Sequence, residues 1–292
     1  MLPMREARLR REFVYRKSLE EKQRSLEEKR KKVVEAVDGN KRIANELKKD
    51  ALSLQKGAEW GGQVNSVDDE YRWAATKDPK VVITTSRDPS SKLKMFSKEI
   101  KLVFPNSQRI NRGHYDVKHL VQACRANDVT DVIVLTETRG RPDGIVVSHL
   151  PFGPTAYFSL SNVIMRHDVP DRETVSQQHP HLIFNNMGSV LGQRFTSILK
   201  YLFPVPKASS TRVVTFHNTQ DFISFRHHMI EVDGPQTSLK EIGPRFELRP
   251  YAIRLGTIEN AAAAEVQWQL RSFMRTSAKR QWLAAEEGED EE

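Results

Sequence analysis

The sequence contains a single cysteine, Cys124, among 292 residues. No disulfide can close within one chain, and a zinc site built on several thiolates is excluded. No stretch approaches the roughly 18 consecutive apolar residues that a membrane-spanning helix needs. The opening Met1-Leu2-Pro3-Met4-Arg5-Glu6-Ala7-Arg8 lacks the apolar run of a secretory signal. Neither His-Glu-x-x-His nor a nucleophile elbow is present. Gly188-Ser189-Val190-Leu191-Gly192 lacks the lysine and hydroxyl that would make it a phosphate loop. Histidines cluster at His179-Pro180-His181 and His227-His228. Neighbouring strand residues point to opposite faces, so His227 and His228 do not share a metal. Spacing alone leaves a nuclease carboxylate pair open, but Asp128, Asp131 and Glu137 read as structural. The expectation is a non-enzymatic binding protein with no metal and no cofactor.

Positive charge is abundant and unevenly spread. The net charge is +8. Residues 1–50 hold 16 Lys/Arg against 10 Asp/Glu, a local +6, and residues 286–292 carry −6, so the chain without that tail stands at 8 + 6 = +14. A basic body attracts polyanions, nucleic acid above all. No stretch shows the Trp/Phe/Leu face that a membrane-surface helix requires, so no membrane contact is expected.

Residues 1–50 read as a basic helical extension. Leu19, Leu26 and Val33 recur every seven residues, a stripe too thin to bury against a large core. The helix is either simply solvated or docks on RNA or a partner protein. Residues 51–79, with Gly57, Gly61 and Gly62, read as a linker. Val81-Val82-Ile83-Thr84-Thr85 is a buried strand, followed by a helix from Lys92 to Phe104 with Leu93, Phe96, Ile100 and Val103 on one face. Arg141-Pro142-Asp143-Gly144 is a turn signal between two further strands. Asp233-Gly234-Pro235 plays that part later in the chain, and residues 263–285 read as a C-terminal helix before the acidic tail, 286–292.

The strand-and-helix pattern occurs twice. A shift of 99 residues places Phe96 on Phe195, Phe104 on Phe203 and Ile83 on Leu182. Asp131–Leu135 is matched by Arg212–Phe216, and Phe152-Gly153-Pro154 by Ile242-Gly243-Pro244. Three landmarks in one order argue for an internal duplication, with α/β (α+β) halves at about 80–170 and 179–260.

These residues resemble a known family. Ile83-Thr84-Thr85-Ser86-Arg87-Asp88-Pro89-Ser90, Gly153-Pro154-Thr155-Ala156-Tyr157-Phe158 and Gly243-Pro244-Arg245-Phe246-Glu247-Leu248-Arg249 are similar to the spaced signatures of the Brix-domain family. The resemblance covers about residues 80–262. It implies that each half is similar to the anticodon-binding domain of class IIa aminoacyl-tRNA synthetases. The basic N-terminal helix and Leu255-Gly256-Thr257 look most like the branch of the family found in the U3 small nucleolar ribonucleoprotein. That branch implies a place in the small-subunit processome of the nucleolus. It further implies contact with U3 small nucleolar RNA and pre-rRNA, whose pairing serves early 18S processing. The implied protein partners are an S4-like protein and a large acidic phosphoprotein. A protein-interaction scaffold with incidental RNA contact is the alternative.

Candidate RNA contacts are the guanidinium and ammonium groups in exposed turns and alternating strands. Arg87 and Lys92 lie at the strand-to-helix turn, where helix N–H groups also favour anions; an Arg87–Asp88 surface network or a helix cap by Asp88 is the competing reading. Arg109 and Arg112 lie in the loop 108–115 beside Tyr115, where bases could stack, and Gly113 could merely turn the chain. Arg139 and Arg141 sit at a hairpin tip. Arg245, Arg249 and Arg254 alternate with Phe246 and Leu248, which places Arg245, Glu247 and Arg249 opposite the core if the two apolar residues face inward. Pairing of Arg245 with Glu241 or Glu247 is the competing reading.

Overall fold

The computed structural model describes residues 2–39, 41–48, 51, 71, 77–233, 236–271 and 281–284. The chain divides into two compact units, residues 1–77 and 78–292. In the first, helix α1 spans Leu2–Asp38 and a short α2 spans Asn45–Lys48. Val33 packs with Ile43 and Ala51 in a small cluster. Leu19 and Leu26, two heptads and one heptad earlier, stay 40% and 45% exposed.

The second unit is built on one mixed sheet. Its elements are β1 (Val81–Thr85), α3 (Ser91–Val103), β2 (Ser107–Arg109), α4 (Val117–Ala126), β3 (Asp131–Thr138), β4 (Arg141–His149), β5 (Thr155–Ile164), β6 (His181–Asn185), α5 (Val190–Lys200), β7 (Arg212–Thr219), β8 (Phe222–Asp233), β9 (Gln236–Glu241), β10 (Arg245–Leu255) and β11 (Glu265–Gln269). The strand order is β2-β1-β3-β4-β5-β10-β8-β7-β6, with β11 added to β10 and β9 to β8. Strands β1, β2 and β3 are mutually parallel, as are β6 and β7. The halves meet along antiparallel β5 and β10.

The duplication extends to register. Val82 pairs with Val132, and His181 pairs with Val213, which are the same positions shifted by 99 and 81. Ser90 and Ser189, 99 apart, each cap a helix by accepting an N–H three residues on. The equivalent Gly-Pro bonds at 153–154 and 243–244 are both cis. The aromatic residues of the two helices reach across the join. Phe96 of α3 meets Phe246 of β10 edge-on at 5.9 Å, and Phe195 of α5 meets Phe158 of β5 at 5.4 Å. The equivalent Phe104 and Phe203 touch each other at 4.9 Å. The two halves therefore share one core, and neither buries its helix face alone.

Among the described residues, a helix covers the other face of the sheet in the first half only. Helix α4 buries Val121 and Cys124 over Val82, Val132, Val134 and Val146. The second half runs from α5 to β7 through residues 201–211 with no helix.

Three expectations are corrected. Residues 265–269, expected as helix, form β11 along the C-terminal part of β10, beyond the stretch that pairs with β8. The alternation in Glu-Val-Gln-Trp-Gln suits that open edge, and Trp268 packs on Phe195; residues 272–280 lie outside those described. Arg109 lies on a short strand, β2, and not in a loop, because parallel pairing to β1 extends the sheet there. The first hairpin turns at Arg139-Gly140, both with positive φ, two residues before the expected signal. Its repeat partner is Gln220-Asp221, also at positive φ, whereas Asp233 and Gln236 close the separate β8–β9 hairpin.

Candidate nucleic-acid interface

Parallel β1, β2 and β3 end on one side of the sheet, the side where open α/β sheets bind ligands. Arg87 follows β1, Arg112 follows β2, and Arg139 and Arg141 flank the β3–β4 turn. Lys92 is exposed in the first turn of α3. Five of the nine expected contacts are thus brought to one edge.

Their local partners differ. Arg87 pairs with Asp116 at 2.9 Å, with side chains 54% and 65% exposed, and not with its neighbour Asp88, while Ser90 and not Asp88 caps α3. The start of α3 is not an open anion site. Glu137 accepts the Ser90 N–H at 2.7 Å and also the Ser90 hydroxyl. Asp143 accepts from the hydroxyls of Thr136 and Thr138. Lys92, Arg112, Arg139 and Arg141 have no ion-pair partner among the described residues. Beside them Tyr115 stands 71% exposed.

The equivalent edge of the second half lacks these cations. Shifting Arg87 and Lys92 by 99 gives Asn186 and Leu191; shifting Arg139 and Arg141 by 81 gives Gln220 and Phe222. The chain covers this second edge with its own residues. Asp221 Oδ1 accepts the N–H groups of Trp282 and Leu283 at 2.7 and 3.1 Å, and Ser189 Oγ donates to the Trp282 carbonyl at 2.6 Å.

The remaining expected contacts lie elsewhere. Arg109 is half-buried on β2, 3.5 Å from the Ser97 hydroxyl on α3. Phe246 and Leu248 do face the core, which leaves Arg245, Glu247 and Arg249 on the opposite face. Arg245 Nε lies 3.5 Å from Glu241, and Glu247 accepts from Asn162 at 2.8 Å. Arg249 stacks over Phe222 at 5.3 Å. Arg254 lies over the Tyr157 ring at 5.7 Å and donates to the Ala261 carbonyl, so it is the most locally engaged. Sequence reasoning missed Arg226 and His228, which point to the same face as Arg245; the brevity of residues 201–211, too short for a covering helix, was the available signal.

The other titratable groups hold structure together. Asp131 accepts from His149 at 2.8 Å. His227 is fully buried and on the opposite face from His228. Burial, then the Arg212 guanidinium, lowers the His227 pKa from 6.5 to about 3, so it is neutral. No group of three His, Cys, Asp or Glu side chains suited to a metal occurs among the described residues.

A profile of the Brix domain matches residues 86–252. The chain belongs to the Brix-domain family. It is 61% identical over 289 residues to the Brix domain-containing protein ZK795.3 of Caenorhabditis elegans, with 99% of each chain covered. It is 56% identical over 288 residues to the U3 small nucleolar ribonucleoprotein protein IMP4 of Homo sapiens, covering 97% of this chain and 99% of that protein. Among solved structures it is similar to a probable ribosomal biogenesis protein from Aeropyrum pernix K1, with a TM-score of 0.47 and 18% identity over 59% of this chain and 96% of that one.

Proposed function

We propose that this chain is an RNA-binding, non-catalytic component of the U3 small nucleolar ribonucleoprotein. It acts in the small-subunit processome of the nucleolus and promotes pairing of U3 RNA with pre-rRNA for early 18S processing. Its protein partners there are the S4-like protein and the acidic phosphoprotein. The names of its close relatives support the particle. One observation supports direct RNA contact. The two halves share a backbone plan, yet only the edge left uncovered carries Arg87, Lys92, Arg139 and Arg141. A fold that stands without these cations in one copy does not require them in the other. Their mechanism is neutralisation of phosphate charge, which lowers the repulsion between two RNA strands.

The test exchanges first-copy residues for those of the second copy: Arg87→Asn, Lys92→Leu and Arg139→Gln. Affinity for U3 RNA fragments is measured over a salt series. Three lost phosphate contacts reduce the slope of log K against log salt by about 2 on single strands. An unchanged slope with an intact fold overturns direct binding at this edge.

The exposed Leu19 and Leu26 favour a second reading, in which α1 docks a partner protein and RNA contact is incidental. Deleting residues 1–50 separates the two: loss of the partner with RNA affinity retained supports the scaffold.

A further inference from the structure

We infer that the uncovered face of the second-half sheet is a platform for unpaired RNA, continuous with the cationic edge of the first half. This rests on the RNA-binding reading and names the class of RNA and a second surface for it.

The repeat shows what has changed. Under α4 the first half presents Val82, Val132 and Val134. The same positions in the second half are His181, Val213 and Thr215, and no helix crosses them among the described residues. A face that had merely lost its helix would keep an apolar floor. Instead two of these three positions are polar, and further along β7 His217 and Thr219 are exposed. Ile183, paired with Thr215, is 48% exposed on the same face, so the floor is mixed and suits a ligand that has both polar and flat apolar groups.

Its charge selects an anion. Arg226, Arg245 and Arg249 share the face on adjacent strands β8 and β10. Of the two carboxylates there, Glu247 is held by Asn162 and Ser161, and Glu241 lies against Arg245. Three guanidinium groups thus face two carboxylates: Arg245 offsets Glu241, Glu247 already accepts from neutral donors, and the face keeps an excess of positive charge in planar forks suited to phosphate oxygens.

Aromatic rings are interleaved with these arginines. Tyr251 is 40% exposed at a bulge of β10, 5.7 Å from Tyr157, and Phe222 lies under Arg249. Guanidinium groups with accessible rings on an open sheet match a flexible single strand, whose phosphates and unstacked bases can be met separately. A rigid duplex cannot bring its bases to such rings. Arg249 on β10 pairs with Ser159 on β5, which pairs with Gly144 on β4, three residues from Arg141. The platform therefore runs toward Arg139 and Arg141 at the β3–β4 turn.

The experiment uses the full chain, an oligouridylate and an RNA duplex of equal length, with binding followed by fluorescence anisotropy. Two variants are compared, Arg226→Ala/Arg245→Ala/Arg249→Ala and Tyr251→Leu, each checked for an unchanged thermal transition. The arginine variant is expected to weaken oligouridylate binding about tenfold or more, with a salt slope shallower by about 2. Tyr251→Leu is expected to weaken oligouridylate binding severalfold and to leave duplex binding unchanged. If both variants bind oligouridylate like the wild type while the Arg87/Lys92/Arg139 exchange abolishes binding, RNA binding stands and the platform is wrong. If none of the three changes binding, both readings fall. Loss of a partner protein with RNA affinity retained assigns the face to protein and also overturns the proposal.

Discussion

Replacing Arg212 with methionine keeps a long apolar stem and removes the guanidinium that fastens the two halves together. Arg212 lies at the start of β7 and is 1% exposed. Its Nε donates to His227 Nε2 at 2.8 Å, and its Nη1 to the carbonyls of Ser176 and Gln178 at 3.3 and 3.1 Å. Its Nη2 donates to the carbonyls of Leu102 and Val103 at 3.0 and 2.6 Å. The last two are orphan acceptors at the C-terminal end of α3, where a cation also complements the helix dipole. Burial lowers the Arg212 pKa to about 10, still far above neutrality, so the cation persists. Each buried acceptor left without a donor costs about 1–3 kcal/mol, moderated by water entry and by relief of a desolvated charge. The expected loss is about 4 kcal/mol, read from urea unfolding at pH 7.5 by tryptophan fluorescence and far-UV circular dichroism. The same contact predicts an acid response. His227 donates from Nδ1 to the Gly243 carbonyl at 2.9 Å and accepts from Arg212, so it must be neutral. Its folded pKa, about 3, lies below the unfolded value of 6.5. The stabilisation is therefore complete above pH 6.5 and is lost as pH falls from there toward 3. Between pH 7.5 and pH 5 this amounts to about 2 kcal/mol in the wild type. Without Arg212 that pH dependence shrinks, because part of what disfavours the proton is gone. A variant within about 1 kcal/mol of wild type, with the same acid slope, refutes the clamp.

Three further outcomes are expected. Gly192→Ala places a Cβ 2.4 Å from the Leu283 carbonyl oxygen and 2.9 Å from the backbone of Met187, so overpacking lowers stability by about 1–3 kcal/mol and exposes residues 281–284 to limited proteolysis. Phe96→Ala removes a ring that bridges the halves and lowers stability by about 3–5 kcal/mol in urea titration; a loss below about 1 kcal/mol is incompatible with a shared core. Cys124 is buried and its thiol pKa is raised by burial, so disulfide-exchange reagents are expected to label it at the rate of unfolding, slower by orders of magnitude than a free thiol.

The duplication was legible because its markers are core residues. Phe96, Phe195, Phe104 and Phe203 keep their spacing since each fills a fixed place beside the join. What escaped depends on contacts distant in sequence. Glu137 occupies the cap of α3 from 47 residues away, and Asp116 reaches Arg87 from 29. Neither partner is visible in the local string Ser86–Ser90. The turn signal at Arg141–Gly144 fell two residues late because Arg139 adopts positive φ without being Gly, Asn or Asp. Strand β11 was hidden because Ala261–Ala264 suggests helix, while its partner edge exists only once β10 is in place. Of the candidate site, composition gave Arg139 and Arg141 at a tip, but only the topology gathers them with Arg87, Lys92 and Arg112.

Two copies of one plan separate what builds the fold from what acts through it. Positions alike in both copies are structural: the serine caps at 90 and 189, the bridging phenylalanines, the Gly-Pro turns. Positions that differ divide into two groups. At the sheet edge, the second copy exchanges cations for Asn186, Leu191 and Gln220 and closes the site with Trp282 and Leu283. On the opposite face the first copy keeps a valine floor under α4, and the second carries His181, Thr215 and Arg226, each half-buried, with no helix over them among the described residues. Each half has thus closed the surface that the other leaves exposed. The two open surfaces adjoin through β5, where Ser159 pairs with both Arg249 of β10 and Gly144 of β4, near the β3–β4 turn. Two adjoining cationic surfaces of unlike chemistry on one rigid sheet can hold two segments of RNA side by side, and bringing two strands together requires that arrangement.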